Sequence, residues 1–272
     1  MGQSNLHGLA AAGVSIWSDQ ISRTMLDSGE LARRVEDDAV TGVTSNPTIF
    51  AGAITKGHAY DQELAALAGS GLSVDEICTE LMATDIKAAC DVLQGVWERT
   101  EGRDGYVSVE VSPLLASDTE ATIEEARAWV KRIDRRNLFV KVPATSEGIP
   151  AIDRLLGEGI PINITLIFSL SRYGEVIDAY RNGLTRFAGA GGDPSTVASV
   201  ASFFVSRVDT EVDRRLEELG TPEALALGGQ AAVANARIAY EMFEEAFGAV
   251  LDQADEPRVQ RPLWASTSTK NP

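Results

Sequence analysis

Histidine and cysteine are scarce, with two of each in 272 residues. The only imidazoles are His7 and His58, and no Cys-x-x-Cys pair occurs. A metal site or a histidine-dependent triad is therefore not expected. Cys78 and Cys90 lie twelve residues apart in what reads as one helix. That spacing spans over three turns, so the two thiols cannot bridge. Cations are also in short supply: 24 Lys and Arg stand against 40 Asp and Glu, a formal net charge of −16. Such a surface repels nucleic acid and anionic membranes, so neither is expected as a partner. An anionic substrate would need a local cluster of cations. No apolar run reaches membrane-spanning length. The N-terminus lacks a basic stretch followed by an apolar core, and Leu6 stands where myristoylation requires Ser or Thr. A soluble cytoplasmic protein is expected. The glycine-rich GAGGDP at 189–194 lacks the Lys-Ser/Thr of a phosphate loop and precedes a strand instead of following one. It reads as a connector.

What the chain does have is hydrophobic residue in quantity, 44%, enough to bury a sizeable core. Short apolar runs alternate with longer helical stretches. The expected strands cover 13–19, 39–46, 106–112, 138–144, 161–168, 197–204 and 261–267. Between them, Ser73 to Glu76 and Thr122 to Glu125 fit capping boxes that would start helices. Residues 206–219 and 229–254 carry apolar residues at helical spacing, and the intervals 47–105 and 205–260 each hold more than one helix. Strand and helix in alternation imply a parallel sheet covered by helices.

The strand interiors favour an α/β fold of the (β/α)8 TIM-type barrel over an open sheet. Val107, Val109 and Val111 share one face, opposite Ser108, Glu110 and Ser112. Ile162, Ile164, Leu166 and Phe168 oppose Asn163 and Thr165, and Leu138, Val140 and Val142 oppose Lys141. A central strand of an open sheet would be apolar on both faces. A barrel strand can be apolar outside and polar inside near its C-terminal end, where barrel active sites lie. Seven strands are recognisable where such a barrel has eight. The chain stops just after a strand, so it reads as a single barrel domain, 1–272, cut before a last strand and C-terminal helix.

The inward positions near the strand ends are Asp19, Asn46, Glu110, Lys141, Asn163, Thr165, Ser202 and, less securely placed, Ser266. A lysine among apolar walls has its charged form disfavoured, which frees the amine as a nucleophile. Such lysines form Schiff bases with carbonyl substrates. The protonated imine is an electron sink that lets an adjacent carbon–carbon bond break. One carboxylate would take the proton of the departing hydroxyl, and another would assist imine formation and hydrolysis. Amides suit the hydroxyls of a sugar. That chemistry calls for no cofactor and no metal. Residue by residue the plain alternatives are a solvated edge position or a structural ion pair with a neighbour such as Glu110 for Lys141, helix caps or turn residues for Asp19 and Asn46, and an exposed edge strand for Glu110.

GVTSNPTIF (42–50), VSVEVSP, LFVKVPAT, INITLIFS, ASFFVSRVD and WASTSTKNP together resemble the transaldolase family, in its order and over nearly the whole chain. The resemblance implies a class I aldolase barrel and a pentose-phosphate-pathway reaction. In it a dihydroxyacetone unit passes from sedoheptulose 7-phosphate to glyceraldehyde 3-phosphate. By position, Lys141 matches the Schiff-base lysine, Asp19 the acid/base at the C4 hydroxyl, and Glu110 the carboxylate acting through a water that Thr165 places. Asn46 and Asn163 match residues that hold the dihydroxyacetone hydroxyls, and Ser202 lies in the same lining. Arg207 and Ser266 match the phosphate contacts, and Lys270 stands where other branches carry arginine. Phe204 matches an aromatic position beside the catalytic water, where phenylalanine favours transfer and tyrosine hydrolytic-type aldolases. The family's longer members continue past WASTSTKNP. The alternatives are a fructose 6-phosphate aldolase-like cleavage, or an inactive barrel fragment whose exposed strand edges would admit a homo-oligomer.

Overall fold

The computed structural model describes residues 5–251 and 258–268. The elements run α1 (Asn5–Ala11), β1 (Ile16–Ser18), α2 (Arg23–Asp27), α3 (Glu30–Asp37), β2 (Val40–Thr44), α4 (Pro47–Lys56), α5 (Asp61–Ala68), α6 (Val74–Arg99) and β3 (Val107–Glu110). They continue as α7 (Thr119–Ile133), β4 (Leu138–Pro143), α8 (Gly148–Leu156), β5 (Ile162–Ile167), α9 (Leu170–Gly189), β6 (Ser199–Phe204), α10 (Ser206–Leu219), α11 (Pro222–Leu225), α12 (Ala231–Leu251) and β7 (Gln260–Ala265). Strand order in the sheet follows chain order, β1 to β7. Helices alternating with parallel strands in that order make the fold TIM-type β/α, as the periodicity implies. Seven strands are present among the described residues.

The chain divides into two compact units, Met1–Ser112 with Glu124–Val140, and Pro113–Ile123 with Lys141–Pro272. In the first, β1 pairs with β2 and β2 with β3, both in parallel. Trp17 lies opposite Gly42 in that register. A Cβ at residue 42 would fall 2.3 Å from the Trp17 ring, so only glycine fits. The indole stacks on Phe139 at 6.1 Å between ring centroids, and Phe139 stacks on Tyr106 at 4.1 Å. Trp17, Tyr106 and Phe139, at the same parity as Asp19, Glu110 and Lys141, thus place an aromatic stack on the polar-parity side, ahead of those residues along the chain. The long helix α6 starts with the expected capping box: Ser73 Oγ accepts the Glu76 amide, and Glu76 accepts the Ser73 amide at 2.8 Å. Cys78 and Cys90 both lie in it, unbridged.

The other expected capping box is not a helix start. Helix α7 begins at Thr119, and Asp118 Oδ1 accepts the Ala121 amide at 3.0 Å. Thr122 is already within the helix and donates to the Leu115 carbonyl, while Glu125 accepts the Ser112 amide. Asp118 takes the cap role because it precedes the first helical residue, whereas Thr122 lies inside the helix with its hydroxyl committed to the Leu115 carbonyl.

In the second unit β5, β6 and β7 pair in parallel. Residues 189–194 close α9 and lead towards β6, a connector as expected. One expected face does not hold. Leu166 has φ +59, the β5–β6 register shifts between Ile164 and Ile167, and Leu166 and Phe168 are about two-fifths exposed. An irregularity in the ladder breaks the alternation after Ile164, so only Ile162 and Ile164 keep the apolar face.

Candidate active site

In the first unit the candidate residues sit where strands end. Asp19 directly follows β1 and is exposed. Its neighbour Ser18 is buried and exchanges hydrogen bonds with the Gln20 backbone. Asn46 follows β2 and caps α4, its Oδ1 accepting the Ile49 amide at 3.0 Å while Pro47 fills the first helical position. The cap fixes the side chain and commits its oxygen. Between them Ser45 Oγ donates to the Ser108 carbonyl at 2.7 Å, tying the end of β2 to β3. Glu110 is the last residue of β3 and half-buried.

In the second unit Lys141 is the one residue of β4 that is not buried; Val140 and Val142 on either side have no exposed surface. The strand therefore presents its lysine from an otherwise sealed segment. Asn163 and Thr165 on β5 and Ser202 on β6 are all buried. Ser202 Oγ donates to Asn163 Oδ1 at 2.7 Å, which orients the amide. The Thr165 carbonyl accepts the Ala144 amide at 2.8 Å. Phe204 meets Phe168 at 4.9 Å between ring centroids. The Arg207 guanidinium lies over the Phe204 ring at 5.7 Å, a cation–π distance.

Ser266 reaches its place by a turn rather than by strand parity. The β6–β7 register sets Ser202 opposite Leu263 and Phe203 opposite Trp264. Parity would therefore send Ser266 to the Trp264 side, but its φ of +55 breaks the alternation. Ser266 then bonds the start of α10: its carbonyl accepts the Ser206 amide at 2.9 Å, and the two hydroxyls lie 3.0 Å apart. No side chain caps that helix, since Val205 occupies the cap position. The amide and hydroxyl of Ser206 both donate to the Ser266 carbonyl. The positive end of α10 thus offers an exposed Arg207, with the Ser266 hydroxyl beside it, as groups suited to an anion. Lys270 lies outside the described residues. Among the described residues no cluster of three or more His, Cys, Asp or Glu could hold a metal ion, and no helix is long and apolar enough to cross a membrane.

The sequence pattern did not reveal a polar cluster in which buried Tyr60 and Asp85 meet half-buried Arg23 and Glu63. The available signal was an acid, Asp85, at i+4 from Leu81 and i−4 from Ala89 on the apolar stripe of α6.

A parallel β/α sheet with polar residues at the C-terminal ends of its strands is the architecture of TIM-type barrel enzymes. The family model described as transaldolase/fructose-6-phosphate aldolase matches residues 16–272. The chain is 53% identical to a transaldolase of Mycolicibacterium paratuberculosis over 98% of its own length and 73% of that protein's. It is 53% identical to one from Mycobacterium leprae (98% and 72%) and 52% identical to one from Mycobacterium tuberculosis (98% and 73%). The chain belongs to the transaldolase/fructose-6-phosphate aldolase family. A solved N-acetylneuraminate lyase from Mycoplasma synoviae aligns over 93% of this chain and 91% of its own, at 11% identity and a TM-score of 0.29, which is too low to bear on the fold.

Proposed function

We propose that the chain is a transaldolase that moves a dihydroxyacetone unit from sedoheptulose 7-phosphate to glyceraldehyde 3-phosphate, giving erythrose 4-phosphate and fructose 6-phosphate. The observation that carries this reading is Lys141, the one unburied position of β4, in a chain of this family. Its amine attacks the donor's C2 carbonyl and water leaves, forming an imine. Asp19 takes the proton of the C4 hydroxyl, the C3–C4 bond breaks, and its electron pair moves into the protonated imine to give an enamine. The aldehyde departs, the acceptor aldehyde is attacked by the enamine, and hydrolysis frees Lys141. Glu110 acts through a water that Thr165 places. Asn46 and Asn163 hold the hydroxyls of the three-carbon unit, with Ser202 setting the Asn163 amide. Arg207, Ser266 and Lys270 take the phosphate, and an arginine can grip it bidentately. Those cations also answer the repulsion of a chain with net charge −16. Sugar phosphates would be its partners and the cytoplasm its compartment.

The test is borohydride trapping with fructose 6-phosphate, followed by intact mass and peptide mapping. A sugar-derived adduct on Lys141, absent in Lys141→Arg, is the expected result. A folded protein with no adduct would overturn the reading. Release of free dihydroxyacetone without an acceptor aldehyde would instead support simple aldol cleavage.

A further inference from the structure

Asp85 has no exposed surface and takes a core position on α6, in line with Leu81, Ala89 and Leu93. Burying a carboxylate there is costly unless every lone pair finds a partner. Both of its oxygens are committed, and both arms end on one residue. Oδ1 accepts from Arg23 Nε. Oδ2 accepts the Tyr60 hydroxyl at 2.7 Å, and that hydroxyl in turn accepts the Arg23 backbone amide at 3.1 Å. Arg23 Nη1 also donates to Glu63 at 2.7 Å, and the Thr84 hydroxyl donates to the other Glu63 oxygen at 3.0 Å. The guanidinium carbon lies 5.0 Å from the Tyr60 ring centroid. Burial opposes the charge on Arg23, but the two carboxylates outweigh it.

Arg23 opens α2, a helix of five residues, too short to hold itself in place. The chain from β1 to α2 is 19–22, with Asp19 at its start. It is fixed at three points: Ser18 at the end of β1, the buried side chain of Ile21, and Arg23. An apolar residue at 85 would fill the core of α6 at lower cost, but it could not accept from both the Arg23 guanidinium and the Tyr60 hydroxyl that holds the Arg23 backbone amide.

We propose that Arg23, Tyr60 and Asp85 form a positioning cluster that sets the 19–22 segment, and so aims the Asp19 carboxylate for carbon–carbon cleavage. The proposal rests on the acid/base role of Asp19 given above. None of the three is a catalytic residue; they act through the backbone that carries Asp19.

The test separates cleavage from imine formation. Reaction with fructose 6-phosphate is quenched with borohydride at short times, and the mass of the Lys141 adduct is read. An imine trapped before cleavage leaves a six-carbon phosphorylated adduct. After Asp19 has taken the C4 hydroxyl proton and glyceraldehyde 3-phosphate has left, the enamine regains a proton and is reduced to a three-carbon adduct. Tyr60→Phe and Asp85→Asn should keep total labelling and KM near wild type. They should shift the adduct from three carbons towards six, with kcat lower by about 10–100-fold, the effect of a small misplacement of a reacting group. In an Asp19→Ala background neither change should shift the ratio further. Tyr60→Phe keeps the ring and removes only the hydroxyl, which guards against a simple failure to fold.

Loss of total labelling with an unchanged adduct ratio would overturn the proposal and leave the cluster a purely structural role. Unchanged turnover would overturn it as well. A wild-type chain that forms no adduct at all would be a different failure: it removes the functional reading itself, and this proposal with it.

Discussion

The Ser202 hydroxyl donates to Asn163 Oδ1 across 2.7 Å, between two side chains that are both buried. The two residues lie on neighbouring strands, with Asn163 opposite Val200 in the register. The bond determines which end of the amide faces Ser202 and which is presented elsewhere. Ser202→Ala leaves a buried acceptor without this donor, which should cost about 1–3 kcal/mol. Urea unfolding would measure it, and the KM for ketose donor should rise because the amide is no longer oriented.

Arg207 should act on binding more than on chemistry. A phosphate gripped by a guanidinium is held alike in the ground and transition states. Arg207→Ala should therefore raise KM for phosphorylated donors by roughly 10–100-fold, the equivalent of one charge-assisted contact, with kcat little changed. Arg207→Lys should recover only part of the loss, because the planar fork is gone. Steady-state kinetics with phosphorylated and unphosphorylated donors would decide it, the latter showing no such change.

Leu166 holds a left-handed backbone at φ +59 next to Thr165. For a bulky residue that conformation costs roughly 1–2 kcal/mol, part of which glycine returns as unfolded-state entropy. Since the Leu166 side chain is 43% exposed, little packing is lost on its removal. Leu166→Gly should raise stability by up to about 1 kcal/mol, and Leu166→Val should lower it, because a branched Cβ suits positive φ least. Thermal unfolding of the two variants should move in opposite directions.

Helix α10 should respond to acid in a defined window. Hydrogen bonds from Arg214 and Arg215 pull the exposed Glu211 carboxyl down from 4.5 to about 2. A depressed carboxylate stabilises the folded state above its unfolded value, and that contribution is lost as pH falls towards the folded one. Amide protection in 206–219 should thus hold above pH 4.5 and decline between pH 4.5 and about 2. Glu211→Gln should remove that dependence. A carboxyl titration of Glu211 by NMR with its midpoint near 4.5 would count against the ion-pair account.

The local pattern of the chain carries much of the fold and the strand positions of several candidate site residues. Alternation in 106–112 and 138–144 assigns Ser108, Glu110 and Lys141 to the polar-parity side, and the observed strands β3 and β4 lie inside those ranges. Ser73 and Glu76 specify the start of α6 because a capping box is complete within four residues. These features depend on neighbours in sequence, so a reader of sequence can find them.

Tertiary structure decided what depends on distant residues. Gly42 is required because the Trp17 ring lies against it, a contact set by strand register. The turn at Leu166 and the placement of Ser266 break strand alternation at points where pairing with β6 governs the chain. Asp85 shows the limit most clearly. Helical periodicity marks its position as core, yet its partners Arg23 and Tyr60 are 62 and 25 residues away. Periodicity reports which face of an element is buried, because that is a property of the element alone. Which groups meet on the buried face depends on how the chain closes its long loops, and only the folded structure settles that.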